Sequence, residues 1–157
     1  KERLVPKRLR SPKPELSLRL VREFKKKLGS YCAELAKCVQ KASKSGYRVA
    51  IYGAAPRSCI VAAASNISSL IDLVIDDRTD IQGRLMPGTE CRIEPVGSLD
   101  AGGPPILCLL GVGSENEFKV RAKLAAHLHQ PPVYISLFPP RDTLASVAAA
   151  SKLLSAR

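Results

Sequence analysis

Three short segments of the sequence carry residues that could bind a ligand. In the first, a glycine and two alanines follow an apolar run and precede an arginine. A glycine turn that opens a helix presents free backbone N–H groups to an anion, and Arg57 could add a bidentate contact with a phosphate. The candidate residues here are Tyr52, Gly53, Ala54, Ala55, Arg57 and Ser58. A strand-to-helix turn that binds no ligand is the alternative interpretation.

The second and third segments supply two acids and a glycine-rich loop. Asp76 follows an apolar run 23 residues after Gly53. Nucleotide-binding α/β units place an acid at such a strand end, where it accepts hydrogen bonds from ribose hydroxyls. Asp77 is a second candidate that also suits a turn, and two solvated acids that cap a loop are the alternative. The loop after them contributes Gln82, Gly83, Arg84, Pro87 and Gly88.

Residues suited to making or breaking a bond do not form a recognisable constellation. The two histidines, His127 and His129, would point to different faces of a helix, so they predict neither a zinc pair nor a catalytic dyad. The sequence has no P-loop, no G-x-S-x-G and no C-x-x-C, and the turn after Tyr52 is not G-x-G-x-x-G. We therefore predict no catalytic residue and no metal ligand.

Alternating strands and helices would position these segments. Apolar runs at 49–52, 71–75, 106–110 and 133–137 predict four strands, with a weaker one near 91–94. Helical patterns at 57–66, 115–129 and 142–154 lie between and after them, and Ser114 with Glu117 predicts a capping box at the start of the second. The predicted fold class is α/β, a Rossmann-like three-layer domain with a mainly parallel sheet, because continuous apolar strands are buried on both faces.

A long basic amphipathic helix precedes this domain. Apolar residues recur at three- and four-residue steps over residues 15–45, interrupted by Gly29 and followed by Gly46. Residues 1–14, with three prolines and six Lys or Arg, predict a flexible basic linker. The predicted domain is 15–157, a Rossmann-like domain that includes the helix.

Charge and cysteine content limit the classes of partner. Residues 1–48 hold 15 basic and 4 acidic residues and the rest hold 10 of each, so the net charge of +11 comes from the first segment. An aromatic fraction of 4% leaves few rings to stack on bases, so we do not expect nucleic acid as a partner. Five cysteines without a C-x-x-C pair predict free thiols. No apolar run is long enough for a membrane span, so we expect no membrane partner and a cytoplasmic location.

Together the three segments resemble the C-terminal domain of the sugar C-methyltransferases, which act on nucleotide-linked deoxysugars. In that family a Y-G-A-x-A-K-G segment opens a helix, and a V-D-D strand end and a K-Q-G-R-x-x-P-G-T loop follow it. Residues 52–58, 74–77, 82–84 and 87–89 match in order and spacing. Two departures fall where charge matters, because Arg57-Ser58 stands for Lys-Gly and Ile81 for the lysine before Q-G.

This resemblance implies a substrate-binding role rather than a catalytic one. The chain would hold the nucleotide-diphosphate end of a sugar nucleotide for a C-methyltransferase whose catalytic domain lies outside it. S-adenosylmethionine is the implied cofactor of the parent enzyme, its methyltransferase domain is the implied partner, and this chain alone is predicted to be inactive and without a cofactor. The alternative is a non-catalytic Rossmann-like module for protein docking, with the helix at 15–45 as its interface.

Overall fold

The described residues form a sheet of five parallel strands. A computed structural model describes residues 14–138 and 143–155, with side chains from 17–138 and 144–155. The strands are β1 (Arg48–Tyr52), β2 (Leu73–Ile75), β3 (Ile93–Glu94), β4 (Ile106–Leu110) and β5 (Val133–Ser136). Their order is β3-β2-β1-β4-β5, and each neighbouring pair is parallel. The chain reverses its direction of winding between β1 and β4, as in doubly wound folds, so the predicted fold class is confirmed.

The helices follow the predicted pattern with small shifts at their ends. In the described residues they are α1 (Pro14–Lys44), α2 (Pro56–Ala64), α3 (Glu117–His127) and α4 (Thr143–Ser155). Helix α1 ends just before Gly46, whose φ of +80° suits a left-handed cap. The predicted flexible linker, residues 1–14, lies outside the described residues except for Pro14, where α1 begins.

Helices cover both faces of the sheet. On one face, alternate residues of β1 and β4 such as Ile51 and Leu109 pack against apolar side chains of α1, α2 and α4. On the other face, Tyr52 and Leu110 pack with Leu124 of α3. All five residues of β4 are buried, which explains their unbroken apolar run. Each fully buried leucine or isoleucine contributes about 1.5–3 kcal/mol to stability, so this strand anchors the domain.

The predicted capping box at Ser114 is wrong. Residues Ser114–Asn116 form a 3-10 turn, α3 begins only at Glu117, and neither element has a side-chain cap. Glu117 does not reach back to the turn, because its carboxylate accepts a hydrogen bond from the Ser136 hydroxyl and pairs with Arg121 at 3.6 Å. The hydrogen bond from Ser136 of β5 engages Glu117 in place of the predicted local contact with Ser114.

The first half of α1 is a unit of its own. The chain divides between Ser30 and Tyr31. In the first unit Leu20, Val21 and Phe24 are exposed, by 54%, 61% and 67%, whereas Leu35 of the second unit is fully buried. The regular apolar spacing that predicted α1 therefore covers both exposed and buried positions of the helix.

Gly29 should limit the stability of this exposed helical segment. Helix α1 runs through Gly29 without interruption, and an added Cβ there would meet nothing within 4 Å. Because alanine is about 1 kcal/mol better than glycine inside a helix, we expect Gly29→Ala to slow amide hydrogen exchange of the neighbouring residues about fivefold. The reverse change at an exposed position of the same helix, Ala33→Gly, should speed it. Faster exchange in Gly29→Ala would contradict the expectation.

Candidate functional site

A cavity of about 340 Å³ lies at the carboxyl ends of β1 and β2. The strand ends contribute Tyr52, Gly53, Asp76 and Asp77 to its wall, and the loop and helix after β4 contribute Val112, Asn116, Lys119, Val120 and Lys123. This position is the crevice between β1 and β4 where the strand order changes direction. Open parallel sheets bind their ligands at that point.

Asp77 joins two elements across the cavity wall. The Tyr52 hydroxyl donates a hydrogen bond to one carboxylate oxygen at 2.9 Å, and Lys123 Nζ donates to the other at 2.7 Å. Burial raises the pKa of the Tyr52 hydroxyl, and the hydrogen bond to Asp77 raises it further, so Tyr52 is a proton donor in hydrogen bonds at neutral pH. The Asp77 side chain is half exposed and offers remaining lone pairs to the cavity.

Asp76 is engaged within the protein. Its side chain is only 9% exposed. One oxygen accepts hydrogen bonds from the Ala54 N–H at 2.8 Å and from Arg78 Nη2 at 3.0 Å, and the other accepts from the N–H and Nε of Arg78 at 3.0 and 3.1 Å. Burial alone would raise the pKa of Asp76, but the hydrogen bonds from Arg78 and Ala54 outweigh it and lower the pKa. Asp76 thus ties the end of β2 to the turn after β1.

The turn after β1 packs tightly on the loop after β4. Gly53 has a φ of +101°, and a Cβ there would lie 3.0 Å from the Gly111 carbonyl carbon and from Val112 Cγ1. The fully buried Ser58 hydroxyl donates to the Gly53 carbonyl oxygen at 2.7 Å. Packing between the two loops therefore accounts for the glycine at 53 and for the burial of Ser58.

Arg57 lies apart from the cavity wall. It is exposed on the first turn of α2, and its guanidinium carbon is 4.4 Å from the centroid of the Phe138 ring. Among the described side chains, none caps the N-terminus of this helix at Ala55. The predicted phosphate contact of Arg57 stays a prediction, but the structure pairs this side chain with the segment that follows β5.

The glycine-rich loop is divided between the two ends of β2. Gln82 Nε2 donates a hydrogen bond to the Asp76 carbonyl at 2.9 Å, and Gly83 N–H donates to the Ile93 carbonyl at 2.8 Å. Arg84 is exposed and accepts from the Ile93 N–H at 2.8 Å through its carbonyl.

Pro87 and Gly88 form the predicted turn, which the Thr89 N–H closes on the Met86 carbonyl at 3.1 Å. Gly88 has the positive φ, +83°, that a type II turn requires. Its neighbour in space is Ser68, which precedes β2, since a Cβ on Gly88 would lie 3.9 Å from the Ser68 hydroxyl. The structure therefore does not bring Pro87 and Gly88 together with the other predicted site residues.

Five wall residues are not among the predicted site residues: Val112, Asn116, Lys119, Val120 and Lys123. The two lysines are four residues apart on α3, which places them on one helix face. That spacing is visible in the sequence, but it is also typical of any solvated helix face. Only the strand order shows that this helix borders the ends of β1 and β2.

Other features of the described residues carry less chemistry. A larger cavity of about 720 Å³ between α1 and α4 includes none of the predicted site residues. In the described part of the chain no group of three or more His, Cys, Asp or Glu side chains could hold a metal ion. All five cysteines are free, as predicted. None of the described helices has the length and apolar character needed to cross a membrane.

Comparison with known protein families identifies the family of this chain. A family model described as C-methyltransferase C-terminal domain matches residues 15–134. The matched range begins in α1 and includes every residue in the cavity wall. No curated protein matches the chain.

Proposed function

Because the chain belongs to the C-methyltransferase C-terminal domain family, we propose that it binds the nucleotide end of the sugar nucleotide that such a methyltransferase modifies. The observation that supports this proposal is the cavity of about 340 Å³ at the carboxyl ends of β1 and β2. Its volume lies at the lower end of the range of about 300–1,000 Å³ that is typical of small-molecule sites. The family membership confirms the resemblance found in the sequence.

The wall of the cavity offers both polar and apolar surface to a nucleoside. Asp77 can accept hydrogen bonds from ribose hydroxyls through the lone pairs that Tyr52 and Lys123 leave free. Val112 and Val120 supply apolar surface for a base. Asp76, Ser58 and Gln82 act indirectly in this proposal, because their hydrogen bonds hold the backbone that forms the wall.

The methyl donor, S-adenosylmethionine, is proposed to bind to the methyltransferase domain outside this chain. The described turn after β1 is a poor cradle for that group, since Gly53 is packed against Gly111 and Val112 and the acid at the end of β2, Asp76, is engaged by Ala54 and Arg78. The chain's own contribution is to hold and orient substrate.

An NMR titration of the chain with uridine diphosphate glucose tests the proposed site. We expect backbone amide shifts in Tyr52–Ala55, at Asp77 and in Val112–Asn116. Asp77→Asn should weaken binding about tenfold, because a hydrogen bond to a charged group contributes about 1.5–3 kcal/mol. Asp80→Asn makes the same chemical change at an exposed position outside the wall and should leave the affinity unchanged. Equal effects of the two substitutions would contradict the proposed site.

Protein docking is the second candidate function, and the exposed face of α1 favours it. Leu20, Val21, Phe24 and Leu28 are 40–67% exposed and recur at the spacing of one helix face. The family match begins at residue 15, so this segment belongs to the family domain. Basic residues beside the face, Lys25 and Lys27 among them, suit an acidic surface on a partner protein. Titration shifts confined to residues 17–30 would favour docking over nucleotide binding.

A further inference from the structure

We infer that Lys119 and Lys123 of α3 form the phosphate-binding part of the cavity. This inference rests on the proposed function and specifies which element meets the diphosphate. Both lysines lie in the cavity wall, and the spacing of four residues places them on one face of the helix. A pair of ammonium groups on one wall suits two linked phosphates, the group that all nucleoside diphosphate sugars share.

Lys123 is held in position before any ligand binds. Its Nζ donates a hydrogen bond to Asp77 at 2.7 Å, and its side chain is 43% exposed. An ammonium group has three donors, so Lys123 can keep this contact and still donate to a phosphate oxygen. The pairing also offsets the negative charge of Asp77, which would otherwise repel a phosphate.

Lys119 supplies the uncompensated charge. In the described residues it forms no ion pair within 4.0 Å, and its Nζ lies 5.8 Å from the centroid of the exposed Phe118 ring. The two acids in the wall each have their own cation, because Asp76 pairs with Arg78 and Asp77 with Lys123. One positive charge is therefore left at the wall, and its counter-ion must come from solvent or from a ligand.

This arrangement separates the phosphate contact from Arg57. The Arg57 guanidinium stacks on Phe138, and Arg57 does not line the cavity. Pro56 also removes one N–H donor from the N-terminus of α2. The anion-binding charge near the ends of β1 and β2 thus comes from the helix after β4, on the other face of the sheet from α2.

The inference is tested by measuring the affinity of the full chain for three ligands. The NMR shifts of the backbone amides of Gly53 and Asn116 report the binding. The ligands are uridine diphosphate, uridine and inorganic pyrophosphate. We expect Lys119→Gln to lower the affinity for uridine diphosphate and for pyrophosphate about tenfold, the scale of one charge-assisted hydrogen bond. The affinity for uridine should be unchanged. Lys123→Gln should weaken the two phosphate ligands by at least as much. Arg57→Gln, and Lys152→Gln as a control on α4, should change each affinity less than twofold.

The outcomes separate this inference from the proposed function. If the native chain binds uridine diphosphate at Gly53 and Asn116 but Lys119→Gln does not weaken it, the inference fails and the proposed function stands. If only Arg57→Gln lowers the affinity for the phosphate ligands tenfold, the phosphate binds at α2 and the inference is overturned. If neither phosphate ligand shifts these amides at 10 mM in the native chain, both ideas fail. If Lys119→Gln lowers the affinity for uridine by the same factor, the substitution disturbs the whole cavity, and the inference is also overturned.

Discussion

Asp76→Asn is expected to lower the free energy of unfolding by about 2–3 kcal/mol, because hydrogen bonds to a buried charged group each contribute about 1.5–3 kcal/mol. The native carboxylate accepts four hydrogen bonds, one from Ala54 and three from Arg78. An asparagine at this position has a single acceptor oxygen, and its amide group would face an N–H donor of Ala54 or Arg78. For a chain of this length the loss corresponds to a fall in melting temperature of roughly 4–12 °C.

The pH dependence of this effect has a definite sign. The pKa of Asp76 is lowered in the folded state, so the carboxylate stabilises the fold above its unfolded-state pKa of about 3.9 and the stabilisation is lost as the pH falls through the lower folded-state value. The difference between the native chain and Asp76→Asn should be constant above about pH 5 and shrink below about pH 4. Thermal melts from pH 3 to pH 7 measure it, with the exposed Asp80→Asn as control. If the difference in stability between the native chain and Asp76→Asn grows in acid, the ionised Asp76 carboxylate does not stabilise the contact between the end of β2 and the turn after β1.

Adjacent acids acquire different environments here for a simple geometric reason. Successive side chains along an extended chain point to opposite sides, so Asp76 and Asp77 cannot both face the cavity in the same way. The Asp76 carboxylate accepts hydrogen bonds from Ala54, in the turn after β1, and from Arg78. The Asp77 carboxylate accepts hydrogen bonds from Tyr52 and Lys123. The sequence places both acids at a strand end, but it does not show which of them will accept hydrogen bonds from a neighbouring loop.

The fold was predictable because its evidence is local and repeated. Runs such as Ile106–Leu110 are apolar at every position, which only a strand covered on both faces requires, and helical patterns separate these runs. The weak strand near 91–94 proved to have only two residues, Ile93 and Glu94, too few to give a periodic signal. Where local rules failed, at Ser114, the cause was a contact between Glu117 and Ser136 from another element.

The site was only partly predictable, because its second half depends on the order of strands in the sheet. Gly53 and Asp77 follow strands that are neighbours, so the strand ends indicated a shared crevice. Lys119 and Lys123 come near them only because β4 pairs with β1 on the side away from β2. Arg57 illustrates the converse, since its helix is adjacent in sequence but its guanidinium lies over Phe138.

Gly53→Ala should destabilise the fold through two separable causes. The φ of +101° at Gly53 is rarely adopted by residues with a Cβ, and forcing it costs about 1–3 kcal/mol. The added methyl would also lie 3.0 Å from the Gly111 carbonyl carbon, a backbone atom that cannot move aside alone. Overpacking of this kind typically costs about 1–3 kcal/mol more. We expect a total loss of about 2–6 kcal/mol and a melting temperature lower by roughly 4–24 °C.

Gly46→Ala provides the matched control, because Gly46 has a similarly left-handed φ of +80° but nothing within 4 Å of an added Cβ. It should show the conformational cost alone, about 1–2 kcal/mol. The difference between the two variants then measures how tightly the turn after β1 packs on the loop after β4. Equal losses would mean that this contact is loose. In that case the cavity wall would not be held rigidly at Gly53, and the two halves of the proposed site would be free to move apart.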